Sequence, residues 1–304
     1  MAAVSGGADS VALANLLLEL AEHGGFAVVT LAHLNHQLRT TAARDEDFCR
    51  ELATSLGLPL VVERDDVAAR AAADGLSLED AARRVRYAFL ARTAVAVAAD
   101  RIAVGHTLDD QAETVLLKLI RGAGPAGVGG ISPSKGAVVR PLLEVTKAEL
   151  QTYLRSRGLR WVEDETNLDC SNPRNRLRHA VLPELERTYP GAARNLARAG
   201  EVARDDSRLL ETIAERIAAV VTITTAAGVE LDAVRLSTEP RAIVRRVLMA
   251  ALRAIAGDRE VGLEHVRAAE EVLARARGGT DVPGGRVELR REKLVLSRAG
   301  RMTK

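Results

Sequence analysis

The sequence predicts an α/β protein in which a parallel sheet covered by helices is followed by a smaller, mostly helical domain. In the first part of the chain, short apolar β-type runs alternate with longer helical patterns, which is the order of elements in such a sheet. From Pro190 onward, long helices rich in alanine, leucine and arginine replace this alternation. The chain has 304 residues, 47% of them hydrophobic, enough to fill two cores. We predict one domain at residues 1–187 and a second at residues 188–304.

Each element of the first domain is predicted from its residue pattern. The strands are short apolar runs at Ala2–Val4, Ala27–His33, Leu60–Glu63, Arg101–Val104 and Val138–Val139. The helices have apolar residues at helical spacing and are predicted at 9–22, 43–56, 78–98, 109–120 and 146–157. The first strand is unusual, because only four residues precede a glycine-rich turn and buried strands are usually longer.

The second domain is predicted from three long helical patterns and two β-type regions. The helices lie at about 191–220, 239–255 and 262–277, and a brief β-type run lies at Val229–Leu231. Residues 283–289 and 294–296 alternate in polarity after two glycines, which predicts a β-hairpin at the end of the domain.

Composition excludes several classes of protein. The net charge is only +2, so nucleic acid binding would need a local basic patch. Aromatic residues make up 2%, too few for a single-strand binder that stacks one ring on each base. Cys49 and Cys170 form no CxxC pair, which excludes a disulfide framework and a four-cysteine metal site. The sequence shows no targeting signal and no membrane span, and we expect a cytoplasmic protein.

The first candidate site is the Gly-rich turn between the first strand and the first helix. Glycines let backbone amides approach a phosphate closely, serines add hydroxyl groups, and a helix N-terminus adds unpaired amides. An ordinary turn in which Asp9 or Ser10 caps the helix is the alternative. The turn has no lysine and no GxGxxG pattern, so it is neither a Walker A loop nor a dinucleotide fingerprint. Its residues are Ser5, Gly6, Gly7, Ala8, Asp9 and Ser10.

Two further strands end in polar groups, where open α/β sheets place their ligands. His33, Asn35 and His36 follow the second strand and can bind a base or a phosphate, or they belong to an ordinary polar loop. His106 follows the fourth strand, and Asp110 and Glu113 share one face of the helix after it. Two acids near a phosphate site can hold Mg²⁺ or an amine. Acids also decorate helix N-termini without any ligand, which accounts for Asp110 more easily than for Glu113.

Two basic regions complete the candidates. Arg83 lies at helical spacing from Glu79, for which a solvated ion pair is the default interpretation. Between residues 174 and 198, basic residues exceed acidic ones by four, six against two. This stretch is the plausible phosphate-backbone patch, although a solvated helix face fits the composition equally well. The candidates within it are Arg174, Asn175, Arg176 and Arg178.

The motifs in chain order resemble a known family. Ser-Gly-Gly-x-Asp-Ser after a first strand is similar to the PP-loop of the N-type ATP pyrophosphatases, which cleave ATP to AMP and pyrophosphate. With HLNHQLR, EDAARRVRY, GHTLDDQAET, IRGAG, RPLL, DETN and RNRLRH, the chain resembles the tRNA(Ile)-lysidine synthases over about residues 3–190. The ending PGGRVELRREKLVLS extends the resemblance into the second domain.

The resemblance implies a Rossmann-like PP-loop ATPase domain and a tRNA-binding domain. It implies that ATP adenylates the oxygen on carbon 2 of the wobble cytidine, position 34, of the isoleucine tRNA with a CAU anticodon. The ε-amine of free L-lysine then displaces AMP, and the lysidine formed changes decoding from AUG to AUA. ATP and Mg²⁺ are the implied cofactors, and no membrane is involved.

The resemblance implies that residues 5–10 bind ATP, and we expect His33, Asn35 and His36 to contribute to that site and Asp9 and Asp110 to hold the metal. The implied chemistry needs charge stabilisation at the phosphates, for which His36 or His106 is a candidate. It also needs a site for lysine, and we hypothesise that Asp110 and Glu113 position its amine and that Arg83 meets its carboxylate. The tRNA backbone is assigned to Arg174, Asn175, Arg176 and Arg178.

Two rival functions follow from the same residues. A PP-loop tRNA thiolase that makes 2-thiocytidine would need reactive or cluster-binding cysteines, and the two cysteines have no partner spacing. A nucleotide-sensing RNA-binding module without turnover would not need the acids and histidines of both motifs. Pyrophosphate release separates the module from the enzymes.

Overall fold

The computed structural model describes residues 1–37, 41–163, 173–275 and 277–299. Two compact units divide the chain, Met1–Ala203 and Arg204–Lys304. The predicted first domain, residues 1–187, lies within the first unit. The predicted domain boundary after residue 187 stays a prediction.

The first unit alternates strands and helices along the chain. Its strands are β1 (Ala2–Ala3), β2 (Leu31–Asn35), β3 (Leu60–Arg64), β4 (Ile102–Ala103), β5 (Ser134–Lys135) and β6 (Val138–Val139). Its helices are α1 (Ala8–Gly24), α2 (Ala42–Ser55), α3 (Val67–Asp74), α4 (Leu78–Ala96), α5 (Leu108–Ile120), α6 (Pro125–Val128), α7 (Lys147–Ser156), α8 (Pro173–Arg176) and α9 (Leu182–Thr188). A π-helical turn (Leu177–Val181) joins α8 to α9, and α10 (Ala192–Val221) continues into the second unit.

Within the described residues these strands form a six-stranded sheet in the order β3-β2-β1-β4-β6-β5. Neighbouring strands are parallel except β5 and β6, which are antiparallel. The α/β prediction with a parallel sheet is therefore confirmed. Since β1 lies between β2 and β4, the loops that follow these three strands open at one edge of the sheet.

Consecutive residues of the strands pack into two different hydrophobic clusters. Leu31 belongs to the cluster that includes Leu13 of α1, whereas Ala32 belongs to the cluster that includes Phe89 of α4. Because side chains alternate between the faces of a strand, helices cover both faces of this sheet.

The second strand begins and ends later than the sequence predicts. It was expected at 27–33 and lies at Leu31–Asn35, all five residues of which are buried. The apolar segment before the strand stays partly exposed, and 44% of the surface of Val29 is accessible. Polar residues at the end of the strand are accommodated by specific partners, since Asn35 donates to Glu46 Oε2 at 3.1 Å. Apolar patterning alone does not reveal such partners.

Glu46 anchors the end of β2 through a buried ion-pair network. Its side chain is 2% exposed and contacts Arg64 at 2.9 Å and Arg50 at 2.8 Å. Hydrogen bonds from Arg64 outweigh the opposing effect of burial and lower the pKa of Glu46 to about 2.

Replacing Glu46 by glutamine should lower the free energy of unfolding at pH 7 by about 1–3 kcal/mol, because the arginines lose a buried charged acceptor. A carboxylate whose pKa is depressed on folding stabilises the protein above its unfolded pKa. The difference between the two proteins should therefore shrink as the pH falls from about 4.5 toward 2. Urea denaturation across this pH range tests it, and a difference independent of pH would contradict it.

The second unit is organised around an antiparallel sheet. Its strands are β7 (Thr222–Thr225), β8 (Gly228–Asp232), β9 (Gly279–Val282), β10 (Gly285–Arg290) and β11 (Lys293–Arg298), and its further helices are α11 (Ala233–Ser237), α12 (Arg241–Ala256) and α13 (Leu263–Arg275). Within the described part of the chain the five strands pair in the order β7-β8-β11-β10-β9.

The prediction of a mostly helical domain with one terminal hairpin was therefore wrong. The hairpin itself is present, with Val287 opposite Leu296. The hairpin pairs with β8, which was predicted as the β-type run at Val229–Leu231, and with β9. Strands β7 and β9 were not predicted, because β7 is mostly exposed threonine and β9 has little apolar pattern. No helix in the described ranges is long and apolar enough to cross a bilayer.

Candidate active site

A cavity of about 750 Å³ lies in the first unit, where the loops after β1, β2 and β4 meet. Its walls also include side chains from α4, α7 and the region of the π-helical turn. Most of the candidate residues predicted from sequence line it. The topology explains this convergence, because three adjacent parallel strands deliver their following loops to one edge.

The glycine-rich turn joins β1 to α1 and faces this cavity. Ser10 Oγ accepts a hydrogen bond from the Ser5 amide at 3.1 Å and donates to Gly7 O at 2.9 Å, which closes the turn. Gly7 is the N-cap residue, and no side chain caps the helix. Gly6 has φ +84°, a conformation that favours glycine. Open amides at a helix N-terminus make an anion site.

Gly105, the second residue after β4, lies against this turn. A Cβ atom there would lie 3.1 Å from Asp9 O and 3.3 Å from Ser10 N, both backbone atoms of the first helical turn. Side chains at this position would therefore displace α1.

We expect Gly105→Ala to lower the free energy of unfolding by about 1–3 kcal/mol through overpacking. The control is Gly124→Ala, where a Cβ would meet no atom within 4 Å. Urea denaturation of both variants measures the difference, and equal stabilities would show that the backbone contact is not tight.

Both carboxylate oxygens of Asp110 have hydrogen-bond or ion-pair partners. One oxygen, Oδ2, accepts from the Thr107 amide at 2.9 Å and the Thr107 hydroxyl at 3.1 Å, forming the capping box of α5. The other, Oδ1, faces Lys147 Nζ at 3.2 Å. Burial alone would raise the pKa of Asp110, but Lys147 and the Thr107 amide hold it at about 2. Asp110 is therefore ionised at neutral pH.

Asp9 lies on the other side of the same ammonium. Lys147 Nζ is 3.8 Å from Asp9 Oδ2, and burial raises the pKa of Asp9 to about 6, with Asp110 acting in the same direction. Lys147 was not predicted from the sequence. The signal available for it is the capping pair of Thr146 and Glu149, which marks the start of α7 and so places residue 147 in its first turn.

Glu113 is almost completely enclosed by two arginines. Its side chain is 1% exposed, and Arg178 Nε donates to Oε1 at 2.6 Å while Arg174 Nε donates to Oε2 at 3.0 Å. Arg178 Nη2 also reaches Asp110 Oδ1 at 3.2 Å. The structure therefore brings two of the residues predicted to bind tRNA, Arg174 and Arg178, to the cavity beside Asp110 and into contact with Glu113, which does not itself line the cavity.

The remaining residues of the basic stretch lie differently. Arg176 is exposed and Asn175 is half-buried, and neither lines the cavity. The role of Arg176 in a phosphate-backbone patch stays a prediction.

Helix α4 presents Arg86 and Tyr87 to the cavity, whereas Arg83 is exposed and does not line it. The guanidinium of Arg83 lies 5.0 Å from the centre of the Tyr87 ring. Tyr87 in turn accepts a hydrogen bond from Arg140 Nη2 at 3.2 Å. Arg86, which sequence reasoning did not select, is thus better placed than Arg83 to meet an anion inside the cavity.

Two histidines of the site are neutral rather than cationic groups. Burial lowers the pKa of His106 to about 4 and also lowers that of His33. His33 Nδ1 lies 2.9 Å from Val4 O, and since a carbonyl only accepts, this nitrogen carries the proton. His36 and Asn35 also line the cavity. His106 therefore supplies no positive charge at neutral pH.

Cys49, the cysteine within the described residues, gives no support to sulfur chemistry. Cys49 is buried, and burial raises the pKa of its thiol to about 12. Cys170 lies outside the described residues, as do the DETN motif at 164–167 and Leu38 and Arg39 of the second motif. Within the described ranges, no group of three or more histidine, cysteine, aspartate or glutamate side chains could hold a metal ion.

Comparisons with known proteins identify the family of the chain. Residues 1–185 match the family model of the PP-loop domain. A tRNA(Ile)-lysidine synthase from Geobacter sulfurreducens is 41% identical over 298 residues, covering 96% of this chain and 62% of that protein. One from Thermus thermophilus is 52% identical over 213 residues, covering 70% of this chain and 41% of that protein. The chain thus spans less than two thirds of the length of these relatives.

The fold also has a solved counterpart. A U34-tRNA thiolase from Methanococcus maripaludis, solved with its [4Fe-4S] cluster, superposes with a TM-score of 0.56 at 18% identity, covering 67% of this chain and 70% of that one. At this identity the likeness concerns the fold alone.

Proposed function

Because the chain belongs to the PP-loop domain family, we propose that it is an ATP-dependent carbon–nitrogen ligase that makes lysidine in tRNA. Its substrates are ATP, free L-lysine and the isoleucine tRNA with a CAU anticodon. It joins the lysine to carbon 2 of the wobble cytidine, position 34, and releases AMP and pyrophosphate. The product reads AUA instead of AUG. The similarity to two tRNA(Ile)-lysidine synthases supports this choice within the family.

The observation that carries the proposal is the convergence of an uncapped helix N-terminus with two acids and a lysine. The loop before α1, Asp9, Asp110 and Lys147 line one cavity. Phosphates suit the amides of the loop, and the acids suit a cation or an amine.

In the first step, the oxygen on carbon 2 of cytidine attacks the α-phosphorus of ATP, and the bond to the β-phosphate oxygen breaks. The amides of Gly7 and Ala8 stabilise the charge on the departing pyrophosphate, together with the Lys147 ammonium. His106 acts as a neutral imidazole that hydrogen bonds near the phosphates, and His33, Asn35 and His36 contribute to the nucleotide pocket.

The acid pair also fits Mg²⁺. Asp9 and Asp110 place carboxylate oxygens within 3.8 Å and 3.2 Å of the same ammonium nitrogen, so both reach one position of positive charge. Magnesium is usually held by one or two carboxylates plus substrate phosphates, which this arrangement provides. When bound, the ion would neutralise charge on the phosphates.

In the second step, the ε-nitrogen of lysine attacks carbon 2, the bond from carbon 2 to the adenylated oxygen breaks, and AMP leaves. Asp110 and Glu113 position the amine, which loses a proton before or during attack. The carboxylate of lysine is assigned to α4, with Arg86 inside the cavity and Arg83 at its exposed end. Arg174, Asn175, Arg176 and Arg178 are assigned to phosphates, of which Arg176 is the exposed one.

The test measures pyrophosphate release from ATP with an isoleucine tRNA transcript, with and without lysine, followed by mass analysis of the anticodon nucleoside. We expect a lysine adduct of cytidine. Pyrophosphate release without an adduct would contradict lysine as the nucleophile, and no release under any condition would contradict the enzyme itself. A tRNA transcript with uridine at position 34 is the control substrate.

A further inference from the structure

The acids proposed to hold the amine are already occupied by cations of the chain. Glu113 receives three hydrogen bonds, two from Arg178 at 2.6 and 2.9 Å and one from Arg174 at 3.0 Å. Asp110 Oδ1 is contacted by Arg178 Nη2 and by Lys147 Nζ, both at 3.2 Å. With Asp9, which lies 3.8 Å from Lys147 Nζ, three carboxylates face three cations. A substrate ammonium would therefore meet carboxylates that are already paired, and a Glu113 side chain with almost no free surface.

Arg174 and Arg178 both contact Glu113 from one short stretch of the chain. They are four residues apart, which is the spacing that puts helical side chains on one face. Arg178 also lies in the π-helical turn Leu177–Val181. Such turns are rare and are frequently found at functional sites.

Phosphate is an alternative partner for these arginines within the same cavity. A guanidinium binds phosphate in the same two-bond geometry with which it binds a carboxylate. Arg174 and Arg178 line the cavity together with Ser5, Gly7 and Ala8 of the anion-binding loop. A substrate that brings phosphate oxygens therefore supplies what the arginines would lose on leaving Glu113.

We propose that Arg178, together with Arg174, closes the amine site until a phosphate-bearing substrate draws both arginines away from Glu113. Lysine then binds after that substrate, and the reaction has an obligatory order. This inference rests on the proposed function, specifically on Asp110 and Glu113 as the amine site. The phosphate can belong to ATP or to the tRNA backbone, since both present the same oxygens.

Equilibrium dialysis of radiolabelled lysine tests the order with the full chain. Lysine binding is measured with the protein alone, with α,β-methylene ATP and Mg²⁺, and with the isoleucine tRNA transcript. We expect at least one of the two phosphate ligands to tighten lysine binding about tenfold or more. A gain with the nucleotide alone identifies ATP as the source, and a gain with the transcript alone identifies the tRNA. By linkage, lysine must tighten binding of that ligand by the same factor.

The decisive variant is Arg178→Met. We expect it to bind lysine without any phosphate ligand about as tightly as the loaded unchanged protein, with a remaining gain below about twofold. Arg187→Met is the matched control, because Arg187 is exposed, pairs with Glu184 and does not line the cavity; it should keep the full gain. Arg178→Lys keeps the charge but not the two-bond geometry, and should retain an intermediate gain if the methionine variant does not fold.

Two results would overturn the inference. One is lysine binding to the ligand-free protein as tight as to the loaded protein, and the other is a full tenfold gain in a folded Arg178→Met variant. Absence of lysine binding in every mixture, including both ligands together, is a different result. It would overturn the proposed amine substrate, and the inference with it.

Discussion

The Asp9→Asn variant should release pyrophosphate about 10²–10³-fold more slowly than the unchanged protein, a loss typical of one preorganised electrostatic group. Asp9 is the acid of the loop proposed to bind the phosphates, and its side chain is 27% exposed toward the cavity. Asparagine keeps the shape but removes the charge that the proposed Mg²⁺ site requires. The rate is measured with saturating tRNA transcript and lysine over a range of ATP and Mg²⁺ concentrations.

Asp47→Asn is the control for this measurement, because Asp47 is an exposed acid on α2 away from the cavity. It should keep the full rate. If the rate of pyrophosphate release by Asp9→Asn stays within about threefold of the unchanged protein, Asp9 does not hold a metal ion beside the phosphates. The loop then binds its ligand through backbone amides alone.

The Lys147→Met variant should lose about 10²-fold in the rate of pyrophosphate release, because its ammonium is the cation common to Asp9 and Asp110. Without it the two carboxylates face each other with less compensation, and the departing pyrophosphate loses a positive neighbour. Methionine preserves the length of the apolar part of the side chain, so the change mainly removes charge. Single-turnover pyrophosphate release measures the effect on the first step separately from lysine transfer.

Lys135→Met serves as the control for the lysine, since Lys135 is exposed on β5 and does not line the cavity. A normal first step in Lys147→Met, with only the second step slowed, would instead assign Lys147 to the amine transfer.

The first unit was largely predictable because its signals are local. A strand, a glycine-rich turn and a helix follow one another within the first 24 residues, and residues 5–10 contain the loop in full. Asp110 was recognisable from its spacing after β4, and the five helices predicted for the first domain matched the apolar periodicity closely. The shorter helices α3, α6, α8 and α9 were not predicted.

The parts that failed depend on contacts between distant residues. Lys147 reaches Asp110 across 37 positions and Arg178 reaches Glu113 across 65, and neither distance leaves a pattern in the sequence. In the sequence, Arg83 and Arg86 belong to one basic run. Which of them lines the cavity depends on which side of α4 faces it. In the second unit, the sheet was missed because exposed strands such as β7 have no buried apolar alternation.

Asp110 both caps α5 and carries a negative charge of the candidate site, so selection for stability and selection for activity act on the same residue. Polar residues of active sites usually weaken a fold, so libraries selected for folding alone tend to discard them. Here one carboxylate oxygen closes the capping box while the other holds the cations. Its replacement therefore removes part of the cap of α5. Selection for folding alone should therefore retain Asp110. Thermostable variants of this chain should keep this carboxylate even when activity is not part of the selection.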